Sequence, residues 1–97
     1  MSGKRYQIHM APSAHRRYKK FTLPLQRKVQ EEAKKLSEDP YRYEELKGPL
    51  KGIRSHHFEF KDVTYRIAYQ ILEDEKRIEI VLVKTREKFY ETLRQII

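Results

Sequence analysis

The chain has 97 residues, a formal net charge of +8 and no cysteine. This length fits one domain, residues 1–97, with a modest core, and the lack of cysteine excludes disulfides, thiolate zinc sites and cysteine nucleophiles. No apolar run approaches the roughly 18–20 residues that span a bilayer, and the basic start lacks the apolar stretch of a secretory signal. We therefore expect a cytoplasmic protein without a membrane partner.

The positive charge is concentrated at the start of the chain. Residues 1–30 contain eight Lys/Arg and no acidic residue, whereas the remaining 14 Lys/Arg are balanced by 14 Asp/Glu. A one-sided excess of this kind attracts polyanions. The distribution favours nucleic acid or the ribosome as a partner. Alternatively, the positive charge keeps the protein soluble and binds an acidic protein partner.

The first forty residues predict a strand and two helices. Residues 5–10 alternate between polar and apolar side chains, which is typical of a half-buried strand. A short basic helix is predicted over 14–21. Thr22 can cap a second helix with Pro24 in its first turn, and Asp39-Pro40 ends it.

The second helix has one apolar face and one charged face. The side chains predicted to pack are Leu25, Val29, Ala33 and Leu36. Those predicted to be solvated are Arg27, Lys28, Glu31, Glu32, Lys34 and Lys35.

Residues 41–52 read as a polar connection, and from Ile53 the pattern predicts two strands joined by a tight turn at Lys61-Asp62. In the first strand, Phe58 and Phe60 share one face, and His57 and Glu59 the other. In the second, one face holds Val63, Tyr65, Ile67, Tyr69 and Ile71, and the other Thr64, Arg66, Ala68 and Gln70.

The remainder predicts a central strand and a last helix. After a turn at 73–76, residues 78–83 are apolar on both faces, as in a central strand. Thr85 is a candidate cap for a helix that buries Phe89, Leu93 and Ile96. The predicted class is α+β, in the order β-α-α-β-β-β-α, with three consecutive antiparallel strands.

Two of these strands have basic residues inside them or directly after them. Arg66 lies inside an apolar strand, and Lys84 and Arg86 directly follow another. A charge in a strand interior costs free energy unless it has a partner or a function. The pattern therefore predicts a sheet surface that holds an anion.

With these segments in this order, the chain resembles the RelE/ParE superfamily of bacterial and archaeal toxins from type II toxin–antitoxin pairs. The resemblance covers nearly the entire chain. The segments that carry it are the helical hairpin ending in Asp39-Pro40, then Leu46-Lys47-Gly48, then Tyr65-Arg66-Ile67-Ala68-Tyr69-Gln70, then residues 84–90, Lys-Thr-Arg-Glu-Lys-Phe-Tyr.

The resemblance implies a small twisted antiparallel sheet with the N-terminal helical hairpin packed on one face and a substrate groove on the other. RelE-like members cut messenger RNA at the ribosome without a metal or other cofactor, whereas ParE-like members inhibit DNA gyrase. Both are neutralised by a cognate antitoxin in a hetero-oligomer. We favour the RelE-like activity; a ParE-like toxin and a purely structural partner of an antitoxin remain alternatives, because the fold alone does not determine the activity.

Site residues are implied by the same resemblance. Arg66 matches the arginine of the strand hairpin, Arg86 the arginine after the last strand, and Tyr90 the tyrosine beyond it. Some relatives have two lysines where this chain has His57 and Glu59. The spacing also allows Lys84, rather than Arg86, to be the cation after the last strand.

Metal-free RNA cleavage needs a base for the 2′-hydroxyl, stabilisation of the phosphorane charge and an acid for the 5′-oxygen. Arg66 and Arg86 are predicted to bind the phosphate, because guanidinium groups contact two phosphate oxygens and stay charged. His57 or Glu59 is a candidate base; alternatively, Glu59 orients Arg66 through an ion pair. Tyr90 could donate a proton, stack on a base or pack along the last helix.

Further cations are candidates for RNA contacts. These are Lys47, Lys51, Arg54, Lys61 and Lys84 around the predicted groove, and Arg16, Arg17, Lys19 and Lys20 on the first helix. The helix group could instead receive an acidic antitoxin segment. No metal site is predicted, because His56 and His57 are adjacent in a strand and point to opposite faces.

Overall fold

The computed structural model describes residues 5–97. The strands are β1 (Gln7–Met10), β2 (Glu44–Glu45), β3 (Arg54–Phe60), β4 (Val63–Leu72) and β5 (Arg77–Thr85). The helices are α1 (Pro12–Lys19), α2 (Leu23–Glu38) and α3 (Phe89–Ile96). Short 3₁₀ turns occupy Pro40–Arg42, Gly48–Leu50 and Glu73–Glu75.

The strands form one sheet in the order β1-β5-β4-β3-β2. The pairs β2–β3, β3–β4 and β4–β5 are antiparallel, and β1 runs parallel to β5. A parallel pair needs a long crossover connection, and helices α1 and α2 lie in the segment after β1. The predicted α+β class is confirmed, and the predicted elements occur in the predicted order; β2 is an additional strand, and β1 adds one parallel pair to the sheet.

One face of the sheet, called here the helical face, packs against α2 and part of α1. Val29 and Leu36 of α2 share a buried cluster with Ile67 and Tyr69 of β4. The Thr22 hydroxyl accepts a hydrogen bond from the Leu25 N–H, so the predicted cap of α2 is confirmed.

The opposite face, called the outer face, is covered only in part. Phe89 and Leu93 of α3 are fully buried in a second cluster with Ala68 of β4 and Leu82 of β5. Leu50, Ile53 and Val81 belong to the same cluster, and towards the β3–β4 turn the outer face carries polar side chains.

Three expectations from the sequence are wrong in detail. The polar connection contains the two-residue strand β2, which the absence of an apolar pattern concealed. Thr85 does not cap α3, because β5 runs through Thr85 and the left-handed residue Lys88 (φ 56°) precedes the helix without a side-chain cap. Ile96 is 37 % exposed rather than buried.

A fourth correction concerns Glu32. It is only 2 % exposed, although its position on α2 predicted a solvated side chain. Its carboxylate lies 2.6 Å from the His56 ring of β3, 3.2 Å from Lys28 and 3.1 Å from Lys35. A buried charge is tolerated when it is paired and hydrogen-bonded, and this site supplies three partners.

Over residues 5–97, none of the helices is both long and apolar enough to cross a membrane.

Candidate functional site

Three basic side chains form a row across three neighbouring strands of the outer face. His57 of β3 lies directly opposite Arg66 of β4, and Arg66 lies directly opposite Lys84 of β5. Directly opposed residues point to the same face, with Cβ atoms about 4.5–5.5 Å apart. This set, called here the polar row, brings together three of the residues predicted from the sequence.

A bulge in β5 puts Lys84 on this face. Ala68 pairs with Leu82 whereas Tyr69 pairs with Ile80, so Val81 is an extra residue in β5. Side chains alternate between faces along a strand, and one extra residue reverses the alternation beyond it. Ile80 therefore points to the helical face, whereas Lys84 points to the outer face.

Tyr90 lies over the same site. The Arg66 guanidinium carbon is 5.9 Å from the centroid of the Tyr90 ring, a cation–π distance. The ring also meets Phe89 edge to face, with centroids 5.3 Å apart, and Tyr90 remains 37 % exposed. Helix α3 thus buries Phe89 as an anchor and presents Tyr90 beside Arg66.

The segment after β5 is tied to the polar row. The Lys84 ammonium donates a hydrogen bond of 2.9 Å to the Glu87 carbonyl. The Arg86 N–H donates to the Thr64 carbonyl at 3.3 Å, which holds the exposed Arg86 next to β4. An ammonium group has three donors, so Lys84 can hold this turn and still offer two donors to an anion.

Glu59 is two residue pairs further towards the β3–β4 turn, at the next position of β3 on the same face. It lies directly opposite Thr64, shares the outer face with His57 and is exposed. Within residues 5–97 it forms no ion pair with Arg66, which is the contact that the orienting role would need. The register therefore brings Glu59 to the same surface, diagonal to Arg66.

Arg54 is not brought to the polar row. It shares the parity of Phe58 and so belongs to the helical face of β3. Its guanidinium donates a hydrogen bond of 2.7 Å to the Tyr43 carbonyl. The same group lies 3.8 Å from the Glu45 carboxylate and 5.1 Å from the centroid of the Tyr41 ring. Arg54 therefore stabilises the segment before β3 and lies on the helical face, whereas an RNA contact was expected to lie on the outer face.

The other predicted cations flank the site. Lys61 lies in the β3–β4 turn with its ammonium 5.4 Å from the centroid of the Phe60 ring, and Lys47 and Lys51 are exposed on either side of a 3₁₀ turn. The four cations of α1 and of the residue directly after it, Lys20, are exposed and line a groove of about 650 Å³ beside the end of α3. The groove residues are Ser13, Arg16, Arg17, Lys19, Lys20 and Ile96.

His56 and His57 point to opposite faces, as the sequence predicted. Burial lowers the pKa of His56, and its hydrogen bond to Glu32 offsets that effect only in part. Burial alone would raise the pKa of Glu32, but hydrogen bonds from His56, Lys35 and Lys28 outweigh it and the net pKa is lowered. This pair links α2 to β3 directly behind His57.

Groups of three or more His, Asp or Glu side chains that could hold a metal ion are absent from residues 5–97.

Comparisons with known proteins agree with this architecture. The family model of the ParE-like toxins of type II bacterial toxin–antitoxin systems matches residues 8–94. The toxin–antitoxin complex RelBE2 from Mycobacterium tuberculosis contains a chain that is 26 % identical, with a TM-score of 0.75 over 84 % of this chain and 99 % of that one.

Two Escherichia coli structures share the fold at lower identity. A mutant of toxin RelE in the free state is 18 % identical, with a TM-score of 0.72 over 96 % of this chain and 99 % of that one. The intact RelBE toxin–antitoxin complex has a chain that is 13 % identical, with a TM-score of 0.66 over 81 % of this chain and 94 % of that one. A search of the curated proteins gives no match.

The family match extends over most of the chain, from β1 to α3. The chain therefore belongs to the ParE-like toxins of type II toxin–antitoxin systems, within the RelE/ParE superfamily.

Proposed function

We propose that this toxin is a metal-independent endoribonuclease that cleaves messenger RNA at the ribosome, in the cytoplasm, and so inhibits translation. The observation that carries the proposal is the polar row, in which Arg66 lies between His57 and Lys84 on an open part of the sheet. A surface that only packs against a protein partner does not need three basic groups in register.

The roles in phosphate binding are assigned by the chemistry of each group. Arg66 binds the scissile phosphate, because its planar fork contacts two oxygens and stays charged throughout the reaction. Lys84 and Arg86 add positive charge from the β5 side, where the phosphorane charge develops. Hydrogen bonds to the backbone hold the Lys84 ammonium and the main chain of Arg86 before RNA binds, so little reorganisation is needed.

The proton transfers fall to the remaining polar groups. His57 is the favoured base for the 2′-hydroxyl, because it is exposed and directly opposite Arg66, whereas Glu59 is two residue pairs further away. Tyr90 stacks on a base of the RNA or donates a proton to the leaving 5′-oxygen, since its ring lies beside Arg66.

The flanking cations hold the RNA rather than cut it. Lys47, Lys51 and Lys61 are exposed near the outer face, and the four cations of α1 and of the residue directly after it form a denser patch that contacts ribosomal RNA. Such contacts are independent of sequence and weaken as the salt concentration rises.

The partner that restrains the toxin is a cognate antitoxin, with which it forms a hetero-oligomer. The M. tuberculosis RelBE2 structure and the intact E. coli RelBE structure are toxin–antitoxin complexes, which supports the same arrangement here.

The test is primer extension on messenger RNA after induction of the toxin. New 5′ ends should appear with the wild type and disappear with Arg66→Ala and with Arg86→Ala. Arg27→Ala is the matched control, because Arg27 is exposed on α2, the helix on the other side of the sheet.

A second candidate is inhibition of DNA gyrase without cleavage. The match to the ParE-like family model favours it. Intact messenger RNA together with altered plasmid topology after induction would support this activity and overturn the ribonuclease proposal.

A further inference from the structure

A small pocket adjoins the polar row at the edge of β3. Strand β2 pairs with only two residues of β3, so the edge of β3 beyond Ser55 has no neighbouring strand within residues 5–97. The segment before β2 faces this edge across a space of about 380 Å³. This space, called here the Ser55 pocket, is lined by Arg42, Tyr43, Glu44, Ser55, His56 and His57.

Ser55 itself points to a binding role. It is 8 % exposed, and its hydroxyl oxygen is buried without a hydrogen-bond partner among the described residues. A buried hydroxyl without a partner costs free energy, because it has lost its contacts with water and gained nothing in return. Ser55 lies on the outer face, opposite Ala68, and lines the pocket; rotation of its short side chain would bring the hydroxyl to a ligand there and give it the missing partner.

The other lining residues suit a nucleobase rather than a phosphate. The exposed carboxylate of Glu44 repels phosphate but accepts hydrogen bonds from exocyclic amino groups, as acidic side chains do with cytosine. The Arg42 guanidinium lies 5.9 Å from the centroid of the Tyr43 ring, and guanidinium planes stack on unpaired bases. Together these groups offer one stacking surface and two polar contacts.

The position fits RNA lying across the strands. His57 lines the pocket and also belongs to the polar row. Neighbouring strands are about 4.8 Å apart, so the distance from β3 to β5 is on the order of 10 Å, the reach of one or two nucleotides. A base in the pocket would belong to a nucleotide next to the phosphate at Arg66.

We propose that the Ser55 pocket is a base-recognition subsite that takes an amino-bearing base (adenine, guanine or cytosine) next to the scissile phosphate and disfavours uracil. The inference rests on the proposed ribonuclease activity and adds the determinant of its sequence preference.

The experiment maps all new 5′ ends in cellular RNA after induction of the wild type, Ser55→Ala and Glu44→Gln. With the wild type, uracil should be depleted at one position beside the cut. Both variants should reduce that discrimination at least about fivefold, the lower end of what one base contact contributes, while total cleavage stays within about threefold. Glu31→Gln, an exposed glutamate on α2, is the matched control and should keep the wild-type preference.

The outcomes separate the two proposals. If the wild type cuts RNA and both variants keep its base frequencies, the subsite is wrong and the ribonuclease stands. If the wild type produces no new 5′ ends, the ribonuclease proposal fails and the subsite fails with it.

A third outcome would assign the pocket to a protein. If both variants keep the base frequencies but weaken binding of the antitoxin, the pocket receives an antitoxin side chain and the subsite is overturned. Thermal unfolding checks that both variants are folded. Ser55→Ala removes a hydroxyl without a partner, so it should not lower the melting temperature. Glu44→Gln should not lower it either, because Glu44 is exposed at the sheet edge.

Discussion

The two faces of the sheet use the same strands for different purposes. On the helical face, α1 and α2 cover a continuous apolar cluster that includes the fully buried Ile67 and Tyr69. On the outer face, α3 covers Ala68 and stops there, and the next residue on that face of β4 is Arg66. Core and site are therefore neighbours along one strand, two positions apart.

The two faces also differ in the burial and in the partners of their charged side chains. The helical face buries Glu32 completely but surrounds it with His56 and two lysines. The outer face leaves its cations half-buried or exposed, with the Lys84 ammonium bound to a backbone carbonyl and the Arg66 guanidinium beside the Tyr90 ring. The charged groups of the helical face are paired with one another and stabilise the fold, whereas the cations of the outer face have no acidic partner among the described residues and are suited to binding a ligand. Substitutions should separate these two properties.

The largest effect is expected for Arg66→Ala, and it should fall on activity. Loss of one charge-stabilising donor typically costs about 10²–10³ in rate, or about 2.7–4 kcal/mol of barrier. The melting temperature should change little, because Arg66 is only half-buried and makes no ion pair within residues 5–97. Cleavage is measured by primer extension and stability by thermal unfolding; a large loss of stability would mean that Arg66 is a structural residue.

Phe89→Ala should have the largest effect on stability. Phe89 is fully buried between α3 and the outer face, and truncation of a buried phenylalanine costs about 3–5 kcal/mol. The free energy of unfolding in urea measures it. Its neighbour Tyr90 is partly exposed, so Tyr90→Ala should cost less than about 1 kcal/mol of stability. Equal losses for the two variants would contradict the anchoring role of Phe89.

Glu32→Ala should destabilise the protein by about 1–3 kcal/mol, because His56 loses its buried partner. The exposed Glu31, whose nearest cation is 4.0 Å away, is the control, and Glu31→Ala should cost about 0.5 kcal/mol or less. Urea unfolding of the two variants decides this, and similar values would show that the buried contact contributes nothing.

A smaller effect is expected from pH. The pKa of His56 in the folded protein is lowered below its usual value of 6.5 by burial, so the unfolded chain binds the proton more readily. Stability is therefore complete above about pH 6.5 and falls as the pH drops below it. Between pH 7 and 5, unfolding free energies of the wild type should decline more steeply than those of His56→Gln. The exposed His9→Gln is the control and should behave like the wild type.

Much of the fold could be predicted from local chemistry. Thr22 and Asp39-Pro40 mark the ends of α2 because capping and proline geometry depend on neighbouring residues only. The alternation in β3 and β4 predicted that His57 and Arg66 share a face, which the register confirms. Arg54 could have been assigned correctly by the same rule, since it has the parity of Phe58.

Other features could not be predicted because they depend on contacts between distant segments. Glu32 looks like any exposed helical glutamate until His56 of β3 is brought against it, 24 residues away in sequence. The side of the sheet to which Lys84 points could not be predicted either. Residues 78–83 are apolar on both sides of the sheet, so their pattern does not indicate the orientation of the Lys84 side chain. Only the pairing with β4 reveals the extra residue.

The bulge at Val81 means that β5 can lose one residue without a change in the register of the polar row, whereas β4 cannot. Deleting Val81 would convert β5 into a regular strand in which Leu82 still pairs with Ala68 and Lys84 still pairs with Arg66. Deleting Ile67 from the regular β4 would instead turn Arg66 toward the hydrophobic interior. Deletion of one residue should therefore keep Lys84 beside Arg66 in β5 but turn Arg66 away from the outer face in β4, although neither deletion removes a charged residue.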